Sequence, residues 1–147
     1  IYKTQIAKGK SEVYANEYAG LMAGGVNHQI YCEEYAFAYE EAINKNRSEE
    51  YSRVYADKYG SELVDIKARF GISDDEEMID FVIEKVSAYM KAWEYAKENP
   101  IKDFNRFVDI YENTYLNTSF SDERMSGLSV EEINKLILKE VLEKFNK

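Results

Sequence analysis

Hydrophobic residues recur at helical spacing along most of the chain, and the tyrosines among them follow a repeated order. Three segments each open with a polar residue, carry a Tyr three positions later with a small residue after it, and close on a second Tyr followed by Ala. These copies span 11–19, 28–36 and 48–56, so their starts lie 17 and 20 residues apart. Each copy is about one helix long, which predicts an array of helical repeats.

The same periodicity predicts helices nearly everywhere else. Apolar residues fit the helical period in every periodic segment, and no segment alternates as a half-buried strand would. Ser73 with Glu76 and Ser129 with Glu132 form two capping boxes, which mark helix starts. The polar residues 117–128 are predicted to be a loop. We expect helices over about 12–23, 29–45, 48–70, 73–99, 104–115 and 129–145.

These elements predict an all-α fold with more than about 65% helix and no sheet. We expect an antiparallel helical array of about six helices, within one continuous domain. The Tyr/Ala repeats of residues 1–72 would merge into a divergent helical bundle over residues 73–147. Because a repeat array needs a polar end to cover its last apolar face, we expect this bundle to cap the array.

The first residues match the end of a repeat rather than its beginning. Tyr2, Ile6 and Gly9 have the same spacing as the Tyr, Met and Gly that end the following copy. The chain also begins with Ile instead of Met. We therefore expect a fragment of a longer protein, with further copies of the repeat before it.

The repeat also predicts how the helices pack. Side chains four residues apart lie above one another on a helix, so the tyrosines form a column of rings on each repeat helix. Small residues beside each column let the neighbouring helix approach until its rings lie over them. We expect Tyr18, Tyr35 and Tyr55 in the core.

The remaining repeat tyrosines are candidates for an interaction surface. A phenol buries apolar area while its hydroxyl stays available to a partner, and Tyr is for this reason a common binding residue. The candidate interaction surface consists of Tyr14, Tyr31, Tyr39, Tyr51 and Tyr59.

Composition and charge narrow the classes of function. The chain has 147 residues, of which 45% are apolar and 32% charged, as in one globular domain. Its net charge is −9, and residues 71–147 carry 17 acidic against 10 basic side chains. No basic stripe exists to bind phosphates, so we predict no nucleic-acid partner. No apolar run reaches the roughly 18–20 residues that span a bilayer, so we predict no membrane span.

Residues that carry chemistry are few. His28 is the single histidine and Cys32 the single cysteine, so neither an internal disulfide nor a zinc site of the usual spacing can form. The lack of a disulfide framework slightly favours the cytoplasm. Serine-elbow, P-loop and dinucleotide fingerprints are missing, and adjacent acids such as Glu33-Glu34 point to different sides of a helix. We therefore assign no catalytic, cofactor-binding or metal-binding residue.

A repeat of this kind specifies packing, and no catalytic constellation accompanies it. We expect a non-enzymatic interaction or scaffold module that binds a protein or peptide, or that self-associates through its N-terminal repeat face. Two alternatives stay open. In one, the chain is an accessory helical domain of a larger enzyme or surface protein. In the other, it binds a small ligand between its helices.

A double substitution tests whether His28 and Cys32 only fill repeat positions. The sister copies carry Ser at the first position and Ala or Ser at the second, so His28→Ser with Cys32→Ala should leave the fold and partner binding unchanged. The measurements are metal content by mass spectrometry and binding by the double variant. Stoichiometric zinc or iron in the parent protein, or lost binding with an intact fold, would contradict the scaffold interpretation.

Overall fold

The computed structural model describes residues 1–26, 28–70, 76–118 and 127–147, and for Phe70 its backbone only. These residues form seven α-helices and no strand, with 82% of them helical, which confirms the all-α prediction. Six of the helices are those expected from the sequence, and the seventh is the short opening segment. The helices are α1 Tyr2–Ala7, α2 Glu12–Ala23, α3 Gln29–Asn44, α4 Glu49–Phe70, α5 Glu76–Glu98, α6 Phe104–Asn117 and α7 Val130–Phe145.

The three repeat helices α2, α3 and α4 begin with the same hydrogen bond. The polar residue that opens each copy accepts it from the backbone N–H of the first Tyr. The acceptors are Ser11 Oγ, His28 Nδ1 and Ser48 Oγ, at 3.1, 3.3 and 3.0 Å. Each bond satisfies an N–H group that has no partner within the first turn of a helix. His28 thus caps α3 as Ser11 and Ser48 cap the other two repeat helices.

Of the two predicted capping boxes, the structure describes one. Ser129 and Glu132 form both bonds of a capping box at the start of α7, as predicted. Ser73 of the other predicted capping box and most of the predicted loop over 117–128 lie outside the described residues.

The chain divides into two compact units, Ile1–Val86 and Ser87–Lys147, and the boundary falls inside α5. In the first unit, helices next to each other in sequence pack together: α1 on α2, α2 on α3, and α3 on α4. This order is typical of a repeat array, in which each unit contacts its neighbours. The predicted division into an array over residues 1–72 and a cap over residues 73–147 stays a prediction.

Small residues and tyrosine rings alternate in the core of the first unit, as the repeat predicts. Ala15, Cys32 and Ser52, which follow the first Tyr of each copy, are fully buried. The Tyr14 and Tyr18 rings of α2 pack in one cluster with Cys32 and with the small residue Ala36 of α3. Because neither small side chain reaches far from its backbone, the rings can lie close to α3.

The rings themselves form the predicted columns. Consecutive tyrosines on α2, α3 and α4 have ring centroids 5.8 to 6.4 Å apart, and four of the five pairs are stacked. Tyr18 and Tyr35 are buried as expected, whereas Tyr55 is half-buried. Tyr55 has its hydroxyl 3.2 Å from Glu41 Oε1, to which it donates a hydrogen bond, so its outer end lies at the edge of the core.

The second unit has its own core without the repeat. Phe107 of α6 is fully buried, and its ring lies 5.6 Å from that of Tyr95 and 5.4 Å from that of Phe145, measured between centroids. Arg106 donates a bond of 2.9 Å to the Phe145 carbonyl, which ties α6 to the end of α7. This unit is stabilised by ordinary apolar packing between α6, α7 and the second half of α5.

Enlarging a small core residue tests the packing of α2 on α3. Ala36 is fully buried beside the α2 rings, so Ala36→Leu should lower the free energy of unfolding by about 1–3 kcal/mol through overpacking. Ala68→Leu on an exposed position of α4 is the matched control, and it should change stability by less than about 0.5 kcal/mol. Urea denaturation measures both. Equal stability of the two variants would show that α2 does not pack closely on α3.

Candidate functional site

A groove of about 420 Å³ opens where α1, α2 and α3 meet. Gln5 of α1 and Tyr14 of α2 line it, with Phe37 of α3. All of these residues belong to the first compact unit. The volume is within the range of ligand pockets in proteins, and its open shape suits a segment of chain better than an enclosed small molecule.

Two buried polar side chains line this groove. Gln5 is only 7% exposed and Tyr14 only 6% exposed. In the part of the chain that the structure describes, neither the Gln5 amide nor the Tyr14 hydroxyl has a hydrogen-bond partner. Their polar atoms are nevertheless not sealed inside the protein, so they are open to a molecule in the groove. Burial, with a smaller effect of the Glu33 carboxylate, raises the pKa of Tyr14 to about 12, so its hydroxyl keeps its proton at neutral pH.

Charges of opposite sign face the groove from different elements. Lys8 and Lys10 lie in the turn between α1 and α2, and Glu33 and Glu34 lie on α3. The Lys10 ammonium is 4.9 Å from the centre of the Tyr14 ring, and Glu33 accepts a bond of 2.9 Å from Gln29. Burial raises the pKa of Glu34, although Lys67, with its ammonium 4.0 Å from the carboxylate, opposes this.

An exposed aromatic ring completes the groove. Phe37 is 49% exposed although it lies on a helix whose other rings are largely covered. The equivalent positions of the sister copies, directly after the Ala that closes the repeat, hold Gly20 and Asp57. Packing of the repeat therefore does not require an aromatic side chain here.

Of the five tyrosines in the candidate interaction surface, the structure brings only Tyr14 into the groove. Tyr39 and Tyr59 are buried, and the Arg53 guanidinium lies 5.0 Å from the centre of the Tyr39 ring. Tyr51 is half-buried, with the Arg47 guanidinium 4.3 Å from its ring centre. The candidate surface is thus dispersed over separate places on α2, α3 and α4.

The fifth candidate, Tyr31, joins α3 to α4. Its hydroxyl donates a hydrogen bond to the Asp57 carboxylate, and burial together with this bond raises its pKa. A Cβ placed on Gly60 would be 3.1 Å from the ring, which is closer than ordinary contact. Gly60 therefore gives this ring the space to lie against the α4 backbone.

Arg53 connects α4 to both preceding repeat helices. Its Nη1 lies 3.1 Å from Glu17 Oε2 of α2, and its Nη2 lies 2.9 Å from Glu49 Oε1 of α4. Between them the guanidinium covers Tyr39 of α3. The hydrogen bonds that Arg53 donates to the Glu49 and Glu17 carboxylates raise the pKa of Arg53. A planar guanidinium serves both carboxylates and the ring at once, which an ammonium cannot do.

A second cavity, of about 470 Å³, lies between α4 and the start of α5, within the first unit. Glu62 lines it and accepts a bond of 3.0 Å from Lys85, while the Lys58 ammonium lies 3.0 Å from its other oxygen. Burial opposes ionisation of Glu62, but the bonds from these two lysines lower its pKa below its usual value. The Glu62 carboxylate of this cavity is therefore already paired with lysines of the protein.

Among the described residues, neither His28 nor Cys32 belongs to a cluster of metal-binding side chains. Cys32 is fully buried, and burial with the adjacent Glu33 raises the pKa of its thiol, opposite to the change that activates a cysteine. Among the described residues, no group of three or more His, Cys, Asp or Glu side chains is placed to hold a metal ion.

Sequence reasoning missed Gln5 and Phe37, although the repeat contained a signal for both. Gln5 precedes Leu21 by 16 residues, which is the spacing between Tyr2 and Tyr18 of the same two copies. A polar residue thus stands where the next copy has an apolar one. Phe37 differs from its counterparts in the opposite sense, because it is aromatic where the sister copies have the small Gly20 and the charged Asp57. Both departures meet in one groove only after folding.

No protein-family model, curated protein or solved structure matches this chain. Within the described residues, no helix is long and apolar enough to cross a membrane.

Buried phenols predict a loss of stability in alkali. Burial is the main cause that raises the pKa of Tyr14, Tyr59 and Tyr111 to about 12, whereas an unfolded phenol ionises near pH 10. Since the native state holds these protons more tightly, their contribution to stability is complete below about pH 10 and is lost as the pH rises toward about 12.

Absorbance of phenolate at 295 nm and urea denaturation between pH 8 and 11.5 measure this effect. Tyr59→Phe is the matched variant, because it keeps the ring and removes one titrating group, so its stability should fall less steeply with pH. Tyrosines that all ionise near pH 10, with a constant free energy of unfolding, would contradict the burial of these hydroxyls.

Proposed function

We propose that this chain is a non-enzymatic interaction module that holds a segment of a partner protein in the groove between α1, α2 and α3. The observation that supports the proposal most strongly is Phe37. Its ring is half exposed at a repeat position where packing is satisfied by Gly or Asp. An exposed aromatic residue beside a polar groove is typical of a binding anchor.

The geometry of the groove adds to this argument. Aromatic residues supply much of the energy of protein interfaces because they bury a large area and lose little conformational freedom. Phe37 lines the same groove as the buried residues Gln5 and Tyr14. A bound segment would therefore gain apolar contact from the ring and specific hydrogen bonds from the Gln5 amide and the Tyr14 hydroxyl.

Selection from a phage-displayed library of random peptides tests the proposal. Peptides that the parent protein enriches should bind Phe37→Asp at least about tenfold more weakly. The variant replaces the apolar ring with a carboxylate, the side chain that the sister copy has at Asp57. Phe81→Asp is the matched control, since Phe81 is a similarly exposed ring (46%) on α5. It should change the dissociation constant by less than about twofold. Circular dichroism checks that both variants fold.

Two results would contradict the proposal. One is the absence of any peptide that distinguishes the parent protein from Phe37→Asp. The other is dimerisation of the parent protein in analytical ultracentrifugation that Phe37→Asp abolishes, which would assign the groove to a second copy of the chain instead.

A further inference from the structure

The Gln5 amide is at a position where an apolar side chain would serve the fold. Its counterpart Leu21 packs against the apolar cluster of α2 and α3. The Gln5 amide is open to the groove, so only water or a ligand there can bond to it, and it contributes less to packing than the apolar side chain of Leu would. Among the described residues nothing bonds to it. Gln5 is therefore suited to a ligand rather than to the packing of α1.

The Tyr14 hydroxyl is a second polar group that lines the groove. It is buried, remains protonated at neutral pH, and has no bond from the described part of the chain. A side-chain amide offers both a donor and an acceptor, and so does a protonated hydroxyl. The main chain of an extended peptide has the matching groups, because every peptide unit presents one N–H and one C=O.

The charges of the groove are not neutralised by one another. In the described residues no ion pair joins Lys8 or Lys10 to Glu33 or Glu34, although all four line the same groove, and Glu34 is paired instead with Lys67 of α4 at 4.0 Å. A ligand with a single charge would meet an unfavourable charge at one side. A ligand with both signs, in the right order, would complement both sides.

We propose that the occupant of the groove is an extended peptide segment of mixed charge. Its main-chain amide bonds to Gln5 and Tyr14, a basic side chain faces Glu33 and Glu34, and an acidic side chain faces Lys8 and Lys10. The inference rests on the proposed function, because it specifies the segment that the groove holds.

The first test is Gln5→Leu, which gives α1 the residue of the next copy. The melting temperature should stay equal or rise, because an unbonded amide is replaced by an apolar side chain. Affinity for the peptide selected on the parent protein should fall about tenfold through the lost hydrogen bonds. Unchanged affinity with an intact fold would overturn the assignment of Gln5.

The second test uses double-mutant cycles with the same selected peptide. Glu33→Gln with Glu34→Gln should weaken binding about tenfold, and Ala at the basic position of the peptide should then have no further effect. Lys8→Gln with Lys10→Gln should behave in the same way toward the acidic position. The matched controls are Glu84→Gln with Glu98→Gln and Lys135→Gln with Lys139→Gln, all exposed and outside the groove. They should leave affinity within about twofold.

The proposed function and the identity of the bound segment can fail separately. If no selected peptide depends on Phe37, the proposed function fails, and this inference fails with it. If peptides depend on Phe37 but show no coupling to the charged pairs, the groove binds a partner but not a segment of mixed charge.

Discussion

The contact between tyrosine rings and fully buried small residues is the constraint on which the repeat half of this protein depends. Ala15, Cys32 and Ser52 follow the first Tyr of each copy, and none of them has exposed surface. The rings of α2 lie over the small residues of α3 because no longer side chain holds the two helices apart. A phenol in this position buries its ring, while its hydroxyl must reach solvent or a hydrogen-bond partner.

The polar contacts of the array follow from that requirement. Tyr31 reaches Asp57 on the next helix, and Tyr55 reaches Glu41 on the preceding one. Arg53 covers Tyr39 and links the carboxylates of α2 and α4 on either side. Packing by tyrosine thus places hydroxyls at the edges of the array, and charged residues at those edges bond to some of them. Some carboxylates of the repeat helices are in this way part of the helical packing.

The groove forms where this pattern is interrupted. At Gln5 the array has a polar side chain where the next copy has Leu21, and at Phe37 it has an aromatic side chain where the sister copies have Gly20 and Asp57. Each change alone is unfavourable or indifferent for packing. Their meeting at one groove, together with Tyr14 and with charges of both signs, is the basis of the proposed binding function.

The sequence by itself determined the helices, the caps and the small-residue columns, because these depend on neighbours within about four positions along the chain. For this reason two features were predictable. One is the hydrogen bond that each opening residue accepts from the backbone N–H of the first Tyr, and the other is the column of stacked rings. Only the tertiary structure decided which tyrosine lines the groove. Tyr14, Tyr31 and Tyr51 occupy the same place in the three copies, yet only Tyr14 lines the groove, because the surroundings of each ring depend on which helix packs alongside. The groove itself joins residues from three helices and a turn, and no local pattern records that proximity.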